Sequence, residues 1–437
     1  MTWPSYPSTK PSDVEWLGSV PSHWVVRELK WSSPVRRGAS PRPIDDPKYF
    51  DDDGEWSWVR IADVSASDGL LKETTQRLSQ LGSSLSVKLN PGSLFVSIAG
   101  TVGKPCITTI PACIHDGFVY FPDLDLNPQF LFWIFESGEC YKGLGKFGTQ
   151  LNLNTDTIGS IRMPVPPPSE QQAIVAFLDS ETTKIDALIT KQEQLIATLC
   201  EDRTATITHA VSKGLEADAS PPDDIAGLGG IPAGWTVRPF LRCVQGRVDY
   251  RGATPKKVAD GVLLVTARNV RPGWIDYEVS EEYVAADEYA DIMRRGLPEI
   301  DDLLFTMEAP LGNAALVDRT DIALAQRIIK FRPDREVVRP RFLLYSVMGD
   351  WFQSQLVARA TGSTALGLKA SKLPELRIAV PDLDEQSLIV KFLDEQGTRI
   401  DELVAKAIQV IDTLQEYRSA LVTDAVTGKI DVREAVA

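Results

Sequence analysis

A chain of 437 residues is longer than one hydrophobic core usually supports, so its length predicts two or three domains. Its composition, 43% hydrophobic and 24% charged, is typical of a globular protein and argues against a disordered or membrane-embedded chain. The longest apolar runs, among them Phe130 to Phe135, are too short to span a bilayer, and the first residues lack a signal-peptide pattern. We therefore expect a cytoplasmic protein.

The net charge of −14 is unevenly distributed. Residues 1–168 carry 15 basic and 18 acidic side chains, and residues 229–381 carry 21 and 19, so these two large segments are nearly neutral. The acid excess lies in residues 169–228 and 382–437, whose net charges are −7 and −6. Either large segment can present a basic face, so the overall acidity does not argue against a nucleic-acid partner.

The five cysteines share no metal-binding spacing, and the chain has only three histidines. We expect reduced, partly buried thiols rather than a zinc site or a disulfide framework.

The predicted elements occur in the same order twice. Short segments rich in β-branched and aromatic residues, among them 93–98, 262–265 and 328–332, predict strands in two mixed domains of about 150 residues. After three prolines, Ser169 is the predicted N-cap of a long helix that meets no proline or glycine until Gly214. A second long helix follows Pro381.

Matching residues show that the second half repeats the first. The opening Gly18-Ser19-Val20-Pro21-Ser22-His23-Trp24 returns as Gly229-Gly230-Ile231-Pro232-Ala233-Gly234-Trp235. At the helix starts, Glu170-Gln171 and Phe177-Leu178-Asp179 return as Glu385-Gln386 and Phe392-Leu393-Asp394, 215 residues later. The repeat predicts a domain at 1–168, a helix at 169–215, a linker at 216–228, a second domain at 229–381, and a second helix at 382–430 with a tail to 437.

Each predicted helix carries an apolar stripe with nearly seven-residue spacing. The first stripe consists of Leu178, Ile185, Leu188, Leu195 and Leu199, and the second of Leu393, Ile400, Leu403, Val410, Leu414, Tyr417 and Leu421. Helices of about 45 residues are roughly 65 Å long, more than one small domain can cover. We therefore predict that the two helices pair with each other; the alternative is that each packs on its own domain.

The G-x-x-P-x-x-W opening, the variable domain and the E-Q helix start, each present twice, resemble the specificity subunit of Type I restriction-modification enzymes over nearly the whole chain. The resemblance implies an α+β fold, with two pseudo-repeated α/β target recognition domains separated by a pair of long antiparallel coiled-coil helices. It implies that each domain reads one half of a bipartite site in double-stranded DNA and that the helices set the spacer. It also implies partner subunits: two methyltransferase subunits docked on the helices, and restriction or translocase subunits. S-adenosylmethionine, ATP and Mg²⁺ would belong to those partners.

The residues themselves also indicate that catalysis and cofactor binding belong to other proteins. The sequence has no G-x-x-x-x-G-K-[ST] phosphate loop, no glycine-rich nucleotide turn and no Asn-Pro-Pro-aromatic run of the amino-methyltransferase type. We therefore expect no catalytic residue, no metal and no cofactor in this chain. A self-contained enzyme with an unrecognised site and a coiled-coil scaffold that binds protein instead of DNA are the alternatives.

Candidate DNA contacts fall into three groups of polar residues that recur in both repeats. Basic residues surround a glycine in one loop of each domain: Arg36, Arg37 and Arg42 in the first, and Arg247, Arg251, Lys256 and Lys257 in the second. A second group follows predicted strands or forms a tight turn: Arg60, Gly100, Thr101, Lys104, Arg268 and Asn269. A third group alternates with apolar residues shortly before each long helix: Lys146, Thr149, Gln150, Asn152, Thr364, Lys369 and Lys372. An ordinary solvated surface is the alternative interpretation of each group.

Overall fold

The computed structural model describes residues 3–144, 146–147, 150–151, 153–215, 230–250, 255–362 and 366–434. The chain divides into two compact units, the first of Met1–Lys191 with Gln409–Ala437 and the second of Gln192–Ile408. Each unit therefore combines one predicted domain with the beginning of one long helix and the end of the other. Within the described ranges, no helix is both long enough and apolar enough to cross a membrane.

Among its described residues, the first unit contains one five-stranded sheet, one four-stranded sheet and three strand pairs, with three clusters of buried hydrophobic side chains. Its strands are β1 (Thr9–Pro11), β2 (Ser19–Pro21), β3 (Val25–Glu28), β4 (Arg36–Arg37), β5 (Trp56–Val59), β6 (Leu70–Leu71), β7 (Gln76–Leu78), β8 (Val87–Leu89), β9 (Leu94–Ser97), β10 (Pro105–Thr108), β11 (Ala112–Ile114), β12 (Phe118–Tyr120), β13 (Lys146–Phe147), β14 (Gln150–Leu151) and β15 (Arg162–Val165). Its helices are α1 (Ile61–Ala66), α2 (Gln80–Ser84), α3 (Pro128–Glu136), α4 (Thr155–Gly159) and the beginning of α5 (Pro168–Lys213). The sheets have the orders β4-β12-β9-β10-β6 and β7-β5-β11-β8.

The second unit repeats this plan. Its strands are β16 (Thr236–Pro239), β17 (Val244–Asp249), β18 (Lys257–Val258), β19 (Val262–Val265), β20 (Val270–Arg271), β21 (Trp274–Ile275), β22 (Tyr283–Val284), β23 (Leu303–Met307), β24 (Leu311–Leu316), β25 (Ile322–Leu324), β26 (Ile328–Pro333) and β27 (Arg377–Val380). Its helices are α6 (Tyr289–Ile292), α7 (Pro340–Met348), α8 (Asp350–Arg359) and the beginning of α9 (Leu383–Thr427). The sheets β17-β26-β23-β24 and β18-β22-β19-β25 correspond to those of the first unit. The predicted strands at 93–98, 262–265 and 328–332 are confirmed as β9, β19 and β26.

Both long helices are present, with 46 residues in α5 and 45 in α9. The prediction that Ser169 is the N-cap was wrong by two positions. The backbone N–H groups of Glu170 and Gln171 donate to the Pro167 carbonyl, and α5 begins at Pro168, because proline suits the first turn of a helix. Helix α9 instead begins after Asp382, whose carboxylate accepts from the N–H groups of residues 384 and 385.

The apolar stripe of the helices differs from the predicted one. Leu178 and Ile185 are buried, but Leu188 and Leu195 are 46% and 44% exposed. The half-buried positions along the middle of α5 are instead Ile189, Gln192, Ile196, Leu199 and Arg203. They recur at alternating three- and four-residue steps, which is the spacing of a coiled-coil seam. The same positions of α9, displaced by 215 residues, are also half-buried or buried. The seam therefore lies one residue further along the helix than part of the predicted stripe. Because only two helices form the contact, the residues beside the seam remain exposed to solvent.

The repeated tryptophan and glutamate meet at the start of each long helix. In the first unit the indole N–H of Trp24 donates to Glu170 Oε2 at 2.8 Å, and in the second that of Trp235 donates to Glu385 Oε1 at 3.0 Å. In the first unit Glu170 also contacts Tyr6 and His23. This bond ties the opening motif of each repeat to a long helix 146 or 150 residues later.

The repeated glutamine lies in the first turn of each long helix and hydrogen-bonds to the N-cap residue of a helix in the adjoining domain. Gln171 accepts from the N–H of Asn127, the N-cap of α3, and donates to the Pro166 carbonyl. Gln386 accepts from the N–H of Arg339, the N-cap of α7, and donates to the carbonyls of residues 337 and 381. The E-Q pair thus has a structural role in both units.

A repeated arginine and aspartate join the two helices inside each unit. In the first unit Arg418 Nε of α9 lies 3.0 Å from Asp186 Oδ1 of α5. In the second unit the roles are exchanged, because Arg203 of α5 pairs with Asp401 of α9. In both units the late part of one helix thus meets the early part of the other, which is the arrangement of an antiparallel pair. The prediction of paired helices is confirmed within each unit.

Candidate nucleic-acid interface

Strand register brings several predicted contacts of the first unit to one sheet edge. Strands β5 and β11 are parallel, with Val59 opposite Ile114, so Arg60 and the turn that follows β11 leave the sheet on the same side. The N–H of Ile98 donates to the carbonyl of Gly117 in that turn, which adds the loop after β9. The N–H of Ala39 donates to the Ile114 carbonyl, which adds the basic loop. We call this edge, formed by residues 36–42, Arg60, 98–101 and 115–117, the first rim.

An aspartate organises the arginines of the first rim. Arg42 lies 3.0 Å from Asp116 Oδ2, Ser40 donates to Oδ1 of the same carboxylate, and Arg37 donates to its backbone carbonyl. Burial raises the pKa of Asp116, but the Ser40 hydrogen bond and the charge of Arg42 outweigh burial and hold that pKa below its usual range. The guanidinium of Arg36 is exposed and has no partner among the described residues. Asp116 thus orients two of the three predicted arginines, one through its carboxylate and one through its backbone carbonyl.

The turn after β9 has a structural reason for its glycine. Gly100 has a φ of +64°, and a Cβ atom there would lie 2.8 Å from Ile61 Cγ2. Thr101 contacts Ser65 at the side-chain oxygens. Lys104, predicted in the same group, is half-buried, and its ammonium group donates to the carbonyls of Ser65 and Ser67 at the end of α1. Lys104 thus helps to hold α1 in place, and its contact with a DNA phosphate stays a prediction.

The second unit forms a corresponding edge, the second rim, from residues 266–268, 308–309 and 325–327. Parallel strands β19 and β25 end together, with the N–H of Ala325 donating to the Val265 carbonyl. Arg268 is exposed, and its guanidinium has no partner in the described part of the chain. Asn269 is fully buried; its side chain accepts from Thr266 and donates to the carbonyls of residues 276 and 280. Asn269 shapes the loop, so the prediction that it contacts a base is withdrawn.

The basic residues of the second domain are more dispersed than the sequence suggested. Arg247 lies on β17 opposite Phe331, four residues further along β26 than the rim, beside a groove also lined by Lys330 and Arg332. Lys256 is exposed. Lys257 lies on β18, in the sheet that does not contain β17, and its Nζ is 2.8 Å from Glu282 Oε2. These residues remain candidate phosphate contacts but do not form one cluster with Arg268.

Much of the third predicted group lies outside the described residues. Thr149, Asn152, Arg251 of the basic loop and Thr364 are not described, and the same holds for the side chains of Lys146 and Gln150. Lys369 is exposed, and the N–H of the preceding residue donates to the Met307 carbonyl, so this segment adjoins the second rim. Lys372 pairs with Glu375 at 2.7 Å.

Sequence reasoning missed three charged residues of the rims: Asp116, Glu308 and Arg327. Arg327 lies in the turn before β26, and its Nε is 2.8 Å from Glu308 Oε1. Residues 114–121 and 324–331 align without a gap at an offset of 210. This alignment alone would have identified the turns that contain Asp116 and Arg327 as equivalent. In the described residues, no group of three or more His, Cys, Asp or Glu side chains could hold a metal ion.

Comparison with known proteins identifies the family. The family model of the Type I restriction modification DNA specificity domain matches residues 21–197 and 294–413. The chain is 20% identical over 297 residues to the specificity subunit of the Type I restriction enzyme EcoBI from Escherichia coli, covering 64% of this chain and 61% of that protein. It is 20% identical over 443 residues to the putative Type I restriction enzyme MjaX specificity subunit from Methanocaldococcus jannaschii, covering 95% and 96%.

Solved structures share the fold. One, described as the structural basis of complex assembly and conformational transition of the Type I R-M system, has a TM-score of 0.70 at 14% identity and covers 93% of this chain and 98% of that chain. The HsdS subunit from Thermoanaerobacter tengcongensis has a TM-score of 0.50 at 15% identity, covering 94% and 98%. Because the family model covers more than half of the sequence, this chain belongs to the family of the Type I restriction modification DNA specificity domain.

Proposed function

We propose that this chain is the DNA-reading specificity subunit of a Type I restriction-modification complex, in which each unit reads one half of a bipartite site. The observation that carries the proposal is the duplicated rim, an edge of exposed arginines and tight turns formed by equivalent loops in both units. Forked arginine donors at a rigid sheet edge suit both phosphates and guanine edges. The family match supports DNA recognition as the general activity.

The long helices serve as the spacer between the half-sites in this proposal. Two arguments support this role: a coiled-coil seam resists changes in register, and each unit anchors both helices through an arginine–aspartate pair. Their length therefore limits how many unspecified base pairs separate the two half-sites.

The helices also offer a docking surface for methyltransferase subunits. Leu188 and Leu195 of α5 and their repeat equivalents Leu403 and Val410 of α9 are all more than 40% exposed. We take the recurrence of exposed large apolar residues at equivalent positions of both helices as support for a protein-binding surface. Because the surface occurs twice, we propose two docked methyltransferase subunits, with restriction or translocase subunits joining that assembly. In this proposal the chain itself is not catalytic, and S-adenosylmethionine, ATP and Mg²⁺ are bound by the partners.

The proposal is tested by expressing the chain with its host methyltransferase and sequencing the methylated DNA. The expected motif has two specified halves around an unspecified spacer. Arg268→Ala should relax one half only, and the matched Arg60→Ala should relax only the other. A single continuous motif, or loss of discrimination in both halves after either change, would contradict the proposal that each unit recognises one half of the site.

Docking is tested separately by co-purification. Leu188→Asp combined with Leu403→Asp should abolish capture of the methyltransferase, because each change places a charge in the proposed apolar contact. Gln194→Asp, an exposed polar position on the same helix, is the matched control and should leave capture unchanged. A chain that binds the methyltransferase but retards no DNA of any sequence would favour the coiled-coil scaffold instead.

A further inference from the structure

Arg327 has a backbone conformation that costs stability. Its φ is +76°, a left-handed conformation that non-glycine residues rarely adopt. The conformation is held firmly, since the Arg327 carbonyl accepts from the N–H of Met307 and the next residue, Ile328, is fully buried. Glycine would occupy the same turn without strain. Strain retained at an exposed position is typical of functional sites.

The side chain of Arg327 is both oriented and available. Its Nε lies 2.8 Å from Glu308 Oε1, and half of the side chain, 51%, remains exposed. Glu308 is itself positioned by a backbone bridge to Gly367. Within the described part of the chain, Nη1 and Nη2 have no protein partner. An arginine paired with a carboxylate on its Nε side leaves its two terminal nitrogens for other acceptors, and this fork matches the O6 and N7 acceptors of guanine.

We propose that Arg327 is a specificity-determining residue that reads a guanine in the half-site of the second unit, with Glu308 as its positioning residue. The inference rests on the proposed function. The first unit differs at this turn: Gly117 aligns with Arg327, and the acid of the turn, Asp116, orients Arg42 from a neighbouring loop. The two rims therefore differ in the arginine that they present at this turn, and we infer that they read different sequences.

The experiment selects duplexes from a randomised library on the full-length chain and compares the variants Arg327→Gly, Arg327→Lys and Arg319→Ala. Arg319 is the matched control, because it is an exposed, acid-paired arginine of the same domain that precedes β25, whereas Arg327 follows it. The wild-type motif should contain a specified G·C pair in one half. Arg327→Gly should reduce discrimination at that pair by about 5-fold to 150-fold and leave the other half unchanged.

Two further readouts separate base reading from a structural or phosphate role. Arg327→Gly should melt at the same or a higher temperature than wild type because the strain is removed; a lower melting temperature would overturn the strain argument. Arg327→Lys should keep overall affinity yet lose discrimination at the same pair, since a lysine cannot donate as a fixed fork.

Each remaining outcome is also decisive. Unchanged base preference in Arg327→Gly would refute the inference while leaving the proposed function intact. A uniform loss of affinity for all sequences, restored by Arg327→Lys, would make Arg327 a phosphate contact and also refute it. A wild-type chain that selects no motif in either half would refute the proposed function together with the inference.

Discussion

Gln386 offers a test of how each recognition domain is fastened to its helix. The side chain is fully buried and makes three bonds to backbone groups: it accepts from Arg339 N at 2.8 Å and donates to the carbonyls of residues 337 and 381 at 3.1 and 2.9 Å. Gln386→Leu has similar volume but leaves all three groups without this partner. At about 1 kcal/mol for each lost bond, we expect a destabilisation of about 3 kcal/mol. Gln171→Leu is the matched variant in the first unit and, with two bonds to lose, should cost about 2 kcal/mol.

Hydrogen exchange resolved by peptide is the appropriate assay, because a two-unit chain need not unfold in a single step. In Gln386→Leu, exchange should accelerate in peptides that cover α7 and remain unchanged in those that cover α3. Gln171→Leu should produce the opposite pattern. Equal acceleration in both units, or no change in α7, would refute the argument that these bonds fasten each domain locally.

The remaining predictions concern charge, cofactor and length. Asp302→Asn should destabilise the second unit by about 3–5 kcal/mol in thermal unfolding, because Lys330 would be left buried without its carboxylate. Burial raises the pKa of Asp302, but hydrogen bonds from Arg332 and Lys330 outweigh burial and lower it, so the wild type should keep this contribution from neutral pH down to about pH 4 and lose it below. Lys256→Ala should weaken binding to all DNA sequences alike and reduce the salt slope by about one. Calorimetry of the isolated chain should detect no binding of S-adenosylmethionine, and a stoichiometric isotherm would refute the non-catalytic assignment. Deleting residues 191–197 together with 406–412 removes about 10 Å from each helix and should shorten the spacer by at most about three base pairs; methylome sequencing that found the old spacer would refute the proposal that the helices set the spacer length.

The elements with strong local signals could be predicted from sequence. The absence of proline and glycine and the flanking prolines predicted the bounds of both long helices to within three residues, and runs of β-branched residues predicted β9, β19 and β26. The exact seam was harder, because leucines at neighbouring positions satisfy a seven-residue spacing almost equally well. Only the contact with a partner helix decides that Ile189 is half-buried while Leu188 is largely exposed.

The candidate site was less predictable, because its residues are assembled by strand register. A polar residue after a strand can point to solvent, as Arg268 does, or turn inward to satisfy its own loop, as Asn269 does. Local sequence does not distinguish the two. Likewise, Lys104 donates to carbonyls at the end of α1 that lie more than thirty residues earlier in the chain. Arg327 lies at the rim only because β23 pairs with β26.

The division of the chain has a consequence for biosynthesis. Residues 409–434 belong to the first unit, yet a ribosome makes them after the whole second unit. The apolar surface of the first unit that Leu421, Val422, Ala425 and Val426 complete therefore stays uncovered while more than half of the chain is still being made. Such a long sequence separation slows folding and prolongs exposure to aggregation. A nascent chain interrupted anywhere before residue 409 would thus carry an unfinished first recognition domain, however complete its second one.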